Sequence, residues 1–358
     1  MTFENILRKN KGLRNAHAGK RCFIIGNGPS LNVQDLTLLE NEISIAVNLF
    51  FSHPKANKVA PPYWVMADPL YWENPDVWFY PAFNAAIKAE CCTKLLVPTG
   101  GIPFFLSINT GPLIDLHFFK FDATKDHTSI IDFTQGIPPY GQNVVIVCLM
   151  LAFYLGCNPI YFIGCDYDFA RMSKEEYLKN KFNHFYGEDI VPTDHQYMAW
   201  EQWKRCIARM DYEYEQLNKY AAMWGFNVFN ATKGGFLETF PRVVYEDLFA
   251  LNMPPYTTAG ENQGARFLGE RAIQLMNSGD NQAALVLIDE ALRTNINRQI
   301  RAEGLEYLKA LCLARLNRFS EALICARQDF SCNPSNRDKS DVLIRQLLQE
   351  GVNCGLLK

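Results

Sequence analysis

Seven short apolar runs recur along the first two thirds of the chain, and each predicts a buried strand. They lie at residues 22–26, 43–48, 63–68, 94–99, 117–122, 160–166 and 226–232. Most are apolar on both faces, which is typical of a sheet covered on both sides. Helical patterns at 143–156 and from about His195 to Trp224 precede the last two runs. This order predicts an α/β, Rossmann-like fold with a mostly parallel sheet and helices on both faces.

The pattern changes after a Pro- and Gly-rich stretch at residues 253–265, which we interpret as a linker. No strand pattern follows it. Two helical patterns resemble each other, because Ala284-Leu285 recurs 38 residues later as Ala322-Leu323. This resembles tetratricopeptide repeats, and a plain helical hairpin is the alternative. We therefore predict a nucleotide-binding domain over 1–252 and a small all-α, tetratricopeptide-like domain over 266–358.

Composition narrows the class of protein. The net charge of −3 over 358 residues gives no sign of a nucleic-acid partner. The eleven cysteines include no C-x-x-C pair, which argues against a zinc site or a disulfide framework. The first residues are polar and basic, and the most apolar segment, 143–156, is short for a membrane span. We expect no transmembrane segment and a cytoplasmic protein, with any membrane contact peripheral and at the inner membrane.

Polar residues follow several of the predicted strands. In open α/β sheets the carboxyl ends of the strands line the ligand crevice, so these residues predict a polar pocket. The alternative is that Asn, Asp and Gly simply form turns there. The positions are Gly26-Asn27-Gly28, Asn48, Asp68, Asp166 and Asn230-Ala231-Thr232.

The turn "GNGPS" after the first strand carries the most specific pattern. Because they lack a Cβ, Gly26 and Gly28 can adopt positive φ and let a ligand approach the backbone. Pro29 suits the first position of a helix, and Ser30 places a hydroxyl near a helix start that favours phosphate. The turn lacks the lysine of a P-loop and the third glycine of a dinucleotide fingerprint.

Five blocks occur in an order that resembles a known family: "IIGNGPSL", "VMADP", "LGCNPIYFIGCDYDF", "NHFYG" and "NATKGGFLETFPRVVYEDLF". Over residues 1–250 the chain resembles the MptE-like family, once called domain of unknown function 115. That family includes archaeal 6-hydroxymethylpterin diphosphokinases and bacterial motility accessory factors, which are implicated in adding nonulosonic acids to flagellin. Some blocks also resemble the small bacterial sialyltransferases of glycosyltransferase family 42, which use CMP-sialic acid.

The sialyltransferase resemblance implies roles for individual residues. A family tyrosine that holds the departing phosphate is replaced by Asp168, and a strand-ending asparagine is replaced by Asp68. The family's general base falls on His184, for which a packed loop histidine is the alternative. Residues that the resemblance places at the nucleotide are Gly26, Asn27, Gly28, Ser30, Asn48, Gly164 and Asp166.

Arg242 is a candidate from its chemistry, because a guanidinium binds a phosphate or a sugar carboxylate in a bidentate way. Its alternative is a salt bridge to Glu246, four residues later.

These observations favour a glycosyltransferase of surface glycan or glycoprotein synthesis that uses a CMP-linked acidic sugar. His184 would deprotonate a glycan or protein acceptor, Asp166 would orient donor or base, and no cofactor would be needed beyond the donor. The repeats would hold a protein partner. Alternatives are a diphosphokinase that uses ATP, with Mg²⁺ on Asp68, Asp166 and Asp168, and a non-catalytic scaffold with a nucleotide pocket.

Overall fold

The computed structural model describes residues 3–126, 128–139, 143–179, 184–187, 198–249, 271–294, 304–332 and 337–353. Its contacts divide the chain into two compact units. Unit 1 comprises Met1–Tyr220 with Asn227–Pro255, and unit 2 comprises Ala221–Phe226 with Tyr256–Lys358. The predicted linker at 253–265 lies outside the described residues.

Unit 1 is built on one sheet of seven strands, all parallel, in the order β5-β4-β3-β2-β1-β6-β7. All seven predicted strands are confirmed, and so is the Rossmann-like α/β class. The strands are β1 Cys22–Ile25, β2 Ile43–Val47, β3 Tyr63–Val65, β4 Thr93–Pro98, β5 Ile114–Phe119, β6 Ile160–Ile163 and β7 Val228–Asn230.

The strand order reverses at β1. From β1 the chain runs outward through β2 to β5, and it then returns to place β6 on the other side of β1. Ile25 at the end of β1 is in register with Ala46 of β2 and Ile163 of β6. The loops after β1 and β6 therefore leave the sheet side by side, at the place where open α/β sheets bind ligands.

The described α-helices of residues 1–224 lie in unit 1, apart from the end of the last one. They are α1 Phe3–Arg8, α2 Ala56–Val59, α3 Leu70–Glu73, α4 Pro75–Lys88, α5 Ile102–Phe105, α6 Val144–Tyr154, α7 Lys174–Leu178 and α8 Trp200–Trp224.

Helix α6 is the buried helix that the 143–156 pattern predicts. Every residue from Val145 to Tyr154 is buried, because the helix is apolar on all sides. Asn143 caps it, and its side chain accepts a hydrogen bond from the Val145 N–H at 3.0 Å. Within the described residues, no helix is both long and apolar enough to cross a membrane.

Unit 2 contains helices α9 Asn281–Thr294, α10 Leu305–Arg315, α11 Phe319–Cys332 and α12 Arg337–Asn353, and residues 271–277 are also helical. The two Ala-Leu pairs of the sequence pattern, at 284–285 and 322–323, are buried in one apolar core. The all-α character is confirmed, while kinship with tetratricopeptide repeats stays a prediction.

Candidate functional site

A cleft of about 110 Å³, partly open to solvent, lies where the strand order reverses. Its walls come from the loops that follow β1, β2 and β6, from the first turn of α6, and from two residues distant in sequence, His184 and Tyr214. It thus brings together eight predicted site residues: Gly26, Asn27, Gly28, Asn48, Gly164, Asp166, Asp168 and His184.

The two glycines of the β1 turn are required for packing between loops. A Cβ on Gly26 would lie 2.2 Å from the Gly164 carbonyl oxygen, and one on Gly28 would lie 1.7 Å from Asp166 Oδ2. Neither glycine uses the positive φ that is open to it, since Gly28 has φ −68° and neither is among the positive-φ glycines. Gly164 adopts the left-handed conformation instead, with φ 62°. The glycines therefore let the β1 and β6 loops approach each other closely.

Ser30 is bonded to Asp166 through both of its donors. Its backbone N–H bonds Oδ1 at 3.2 Å, and its hydroxyl bonds Oδ2 at 2.8 Å. The helix predicted to start at Pro29 is a short 3-10 helix, Pro29–Val33, with Gly28 before it. Ser30 therefore supports the Asp166 carboxylate. The sequence predicts a phosphate site at the N-terminus of a helix here, and the geometry fits that role less well.

Asp166 is the most constrained carboxylate of the cleft. The residue is 8% exposed, and this burial raises the pKa of the carboxyl group. The hydrogen bonds from Ser30 oppose that rise in pKa, and the nearby charge of Asp168 adds to it. The backbone is also held, because the Asp166 carbonyl accepts a hydrogen bond from the Phe236 N–H at 2.6 Å. Asp166 is therefore fixed from two sides.

His184 is held at the cleft by its neighbour in sequence. The Phe185 N–H bonds the Asn27 carbonyl at 2.9 Å, and the Phe185 carbonyl accepts from Asn32 Nδ2 at 3.1 Å. The half-buried imidazole stacks on Tyr186, with ring centroids 4.8 Å apart. Burial lowers the pKa of His184, against the raising effects of the Asp168 charge and the Asn27 backbone. A neutral imidazole at pH 7 is able to accept a proton.

Asn48 presents an unsatisfied acceptor. It follows β2 in the left-handed conformation, with φ 46°, and its carbonyl accepts from Trp64 Nε1 at 2.8 Å. Its side-chain Oδ1 is buried and has no hydrogen-bond partner in the described part of the chain. A buried acceptor of this kind suits a ligand that donates an N–H or O–H.

Asp168 lies beside the other two titratable groups. Its Oδ1 accepts a hydrogen bond from the Phe169 N–H at 2.9 Å, and its charge acts on both Asp166 and His184. The carboxylate therefore faces a base and a second acid, an arrangement that the sequence comparison did not suggest.

Three predicted residues lie outside the cleft wall: Ser30, which bonds Asp166, and also Asp68 and Arg242. Asp68 is exposed, and it accepts a hydrogen bond from the Leu70 N–H at 3.0 Å at the start of α3. Arg242 pairs with Glu238, four residues earlier, whereas the alternative considered from the sequence was Glu246. Neither Asp68 nor Arg242 lines the cleft, so any role there remains a prediction.

The cleft carries an excess of negative charge. Asp166 and Asp168 contribute carboxylates, and the described lining residues include no lysine or arginine. No three His, Cys, Asp or Glu side chains within the described ranges are grouped so as to hold a metal ion. Two carboxylates completed by phosphate oxygens and water are nevertheless a common way to bind Mg²⁺. The donor set thus fits a cation that arrives with a phosphorylated ligand.

A comparison with protein families matched the first part of the chain. The family model described as "6-hydroxymethylpterin diphosphokinase MptE-like" matches residues 2–172. Neither the curated proteins nor the solved structures compared with the chain gave a match. The resemblance to sialyltransferases stays a prediction. The matched segment contains β1 to β6, the glycine turn, Asp166 and Asp168, and over residues 2–172 the chain is similar to the MptE-like family.

Proposed function

We propose that the cleft binds a nucleoside triphosphate together with Mg²⁺ and transfers its diphosphoryl group to the hydroxyl of a hydroxymethylpterin-like acceptor. The observation that carries the proposal is the pairing of Asp166 and Asp168 in a cleft whose described wall has no lysine or arginine. A bare triphosphate would be repelled by these carboxylates, and a divalent cation removes the repulsion. The description of the matching family also supports this reaction.

Asp166 and Asp168 would hold the Mg²⁺, which neutralises charge on the phosphates when bound. Backbone groups would contact the rest of the phosphate chain. The N-terminus of α6 reaches the cleft at Val144 and Val145, and the partial positive charge of an 11-residue helix favours an anion there. The glycine turn at residues 26–28 offers close approach from the other side.

His184 would act as the general base. It takes the proton of the acceptor hydroxyl, and the hydroxyl oxygen forms a bond to the β-phosphorus. The bond from that phosphorus to the oxygen bridging to the α-phosphate breaks, and a nucleoside monophosphate departs. Because burial lowers the pKa of His184, the imidazole is neutral and ready to accept the proton near pH 7.

One observation favours the second candidate, glycosyl transfer from a CMP-linked acidic sugar. Asp168 is bonded to the Phe169 N–H, and its charge acts on His184. A carboxylate that serves the base in this way is suited to a reaction without a bound metal. The same His184 would then deprotonate a sugar or protein hydroxyl.

The test is product analysis of parallel reactions. The protein is incubated with ATP, Mg²⁺ and 6-hydroxymethylpterin, and separately with CMP-sialic acid and a galactoside. We expect AMP and a diphosphorylated pterin from the first mixture only. His184→Ala should lower that rate by about 10² to 10⁴, whereas His17→Ala, whose imidazole bonds Tyr63 away from the cleft, should act as the matched control. Release of CMP and no AMP would favour glycosyl transfer, and no product from either mixture would favour a non-catalytic nucleotide-binding scaffold.

A further inference from the structure

The guanidinium of Arg242 has a partner for each of its five N–H groups. Its Nε donates to the Glu238 carboxylate at 3.1 and 3.2 Å, and Nη2 donates to the same carboxylate at 2.8 Å and to the Gly235 carbonyl at 2.9 Å. Its Nη1 donates to the carbonyls of Thr232 and Gly234 at 3.2 and 2.6 Å. An arginine has no sixth donor. Arg242 therefore has no N–H left for a phosphate while these bonds persist.

The three carbonyls belong to one segment, Thr232–Glu238, which we call the 232–238 loop. Gly234 and Gly235 both adopt the left-handed conformation, with φ 79° and 75°. The loop is also tied to the end of β7, where the fully buried Asn230 donates from Nδ2 to the Leu237 carbonyl at 2.7 Å. Two consecutive glycines leave much conformational freedom to be removed on folding. Arg242 removes it by bonding three of the loop's carbonyls at once.

The 232–238 loop holds the backbone at the end of β6. Thr232 Oγ1 accepts from the Cys165 N–H at 3.1 Å, and the Phe236 N–H donates to the Asp166 carbonyl at 2.6 Å. Gly235 packs so closely that a Cβ there would lie 2.3 Å from the same carbonyl oxygen. A change in the loop's conformation therefore moves the backbone that carries the Asp166 carboxylate.

We propose that Arg242 is a positioning residue for Asp166, and that it acts through the 232–238 loop. This inference rests on the proposed function only for the role of Asp166 in binding Mg²⁺. Arg242 thus affects the cleft through the loop that it bonds. Its chemistry alone suggests a direct contact with phosphate instead. Lysine cannot replace it, because an ammonium group has three donors and no planar fork.

Amide hydrogen exchange of the protein without ligand tests the loop. We expect Arg242→Lys to accelerate exchange of the Cys165 and Phe236 amides at least tenfold, while amides of β5 keep their rates. Arg209→Lys is the matched control, because Arg209 pairs with Glu213 at the same i, i+4 spacing and bonds no loop carbonyl. Equal acceleration of all amides, or no acceleration at Cys165 and Phe236, would overturn the proposal.

Binding measurements extend the test to the site. We expect Arg242→Lys to weaken Mg·ATP affinity at least tenfold at 15 °C in the wild-type background and by less than twofold in the Asp166→Asn background. Glu238→Gln, which keeps the size of an exposed partner, should give a smaller effect in the same direction. Faster exchange with unchanged affinity would make Arg242 merely structural and contradict the proposal. If the wild-type protein binds no nucleotide, the proposed function fails, and the exchange data alone decide the role of Arg242.

Discussion

The substitution Gly28→Ala adds one methyl group at the closest contact between the β1 and β6 loops. The new Cβ would lie 1.7 Å from Asp166 Oδ2, 2.5 Å from its Cγ and 2.8 Å from the Gly164 carbonyl oxygen. The φ of Gly28 is −68°, so alanine meets no backbone strain there. Any loss of stability therefore comes from the displacement of Asp166 and of the Gly164 carbonyl.

The expected loss follows from the bonds that Asp166 must give up. Ser30 donates to both carboxylate oxygens, at 3.2 and 2.8 Å, and a hydrogen bond to a charged group contributes about 1.5–3 kcal/mol. Overpacking of a close contact costs about 1–3 kcal/mol. Since the two effects overlap, we expect Gly28→Ala to lower the free energy of unfolding of unit 1 by about 3 kcal/mol.

Urea denaturation followed by tryptophan emission measures this loss. Five of the six tryptophans lie in unit 1, so the signal reports mainly on that unit. Gly12→Ala is the matched control, because a Cβ on Gly12 would have no neighbour within 4 Å. We expect the control to stay within about 0.5 kcal/mol of wild type. A Gly28→Ala variant as stable as the control would refute the packing described here.

A double-mutant cycle separates the contact from other effects. Asp166→Ala removes the two atoms nearest to the new methyl group. Gly28→Ala should then be less harmful in the Asp166→Ala background, with a coupling of about 1–3 kcal/mol. Additive losses would indicate that the methyl group clashes with some other group.

Three further predictions concern the cleft. The acid limb of the wild-type pH–rate profile should fall below pH 6.5, because burial lowers the pKa of His184 and the protonated imidazole is inactive; an acid limb at or above pH 6.5 would contradict this. Because burial raises the pKa of Asp166, its carboxylate takes up a proton at a pH above the usual Asp pKa of 3.8, and Mg·ATP affinity should begin to fall there as the pH is lowered. Affinity measured against pH in wild type and in Asp166→Asn checks this, and a variant that keeps the wild-type pH profile refutes it. Asn48→Gly keeps the left-handed φ of 46° and removes the unpartnered acceptor, so thermal stability should stay nearly unchanged. ATP affinity should fall about tenfold, which corresponds to the loss of one hydrogen bond of about 1.4 kcal/mol. Unchanged affinity would mean that the ligand makes no hydrogen bond to Asn48.

The strands of the sheet were predictable because each one depends on the apolar character of a few consecutive residues. Most strands are short runs of apolar residues, and burial on both faces leaves no alternation to confuse them with an exposed strand. The apolar helix at 143–156 was predictable for the same reason, and α6, Val144–Tyr154, lies within that range.

The interior of the site was less predictable, because it depends on contacts between distant residues. The sequence suggested that Gly26 and Gly28 serve a ligand, whereas the structure places Gly164 and Asp166, which follow the neighbouring strand β6, against them. Ser30 was expected at a phosphate, yet its donors bond Asp166, which is 136 residues away. No local pattern encodes such a pairing. Only the order of the strands brings the two loops together.

Calorimetric titration with ATP, in the presence and absence of Mg²⁺, tests the central claim most directly. If Asp166 and Asp168 bind a cation together with the phosphates, ATP should bind with Mg²⁺ and should lose at least tenfold in affinity without it. CMP without metal should bind more weakly than Mg·ATP. ATP affinity that is equal with and without Mg²⁺, or tight metal-free binding of CMP alone, would contradict the account.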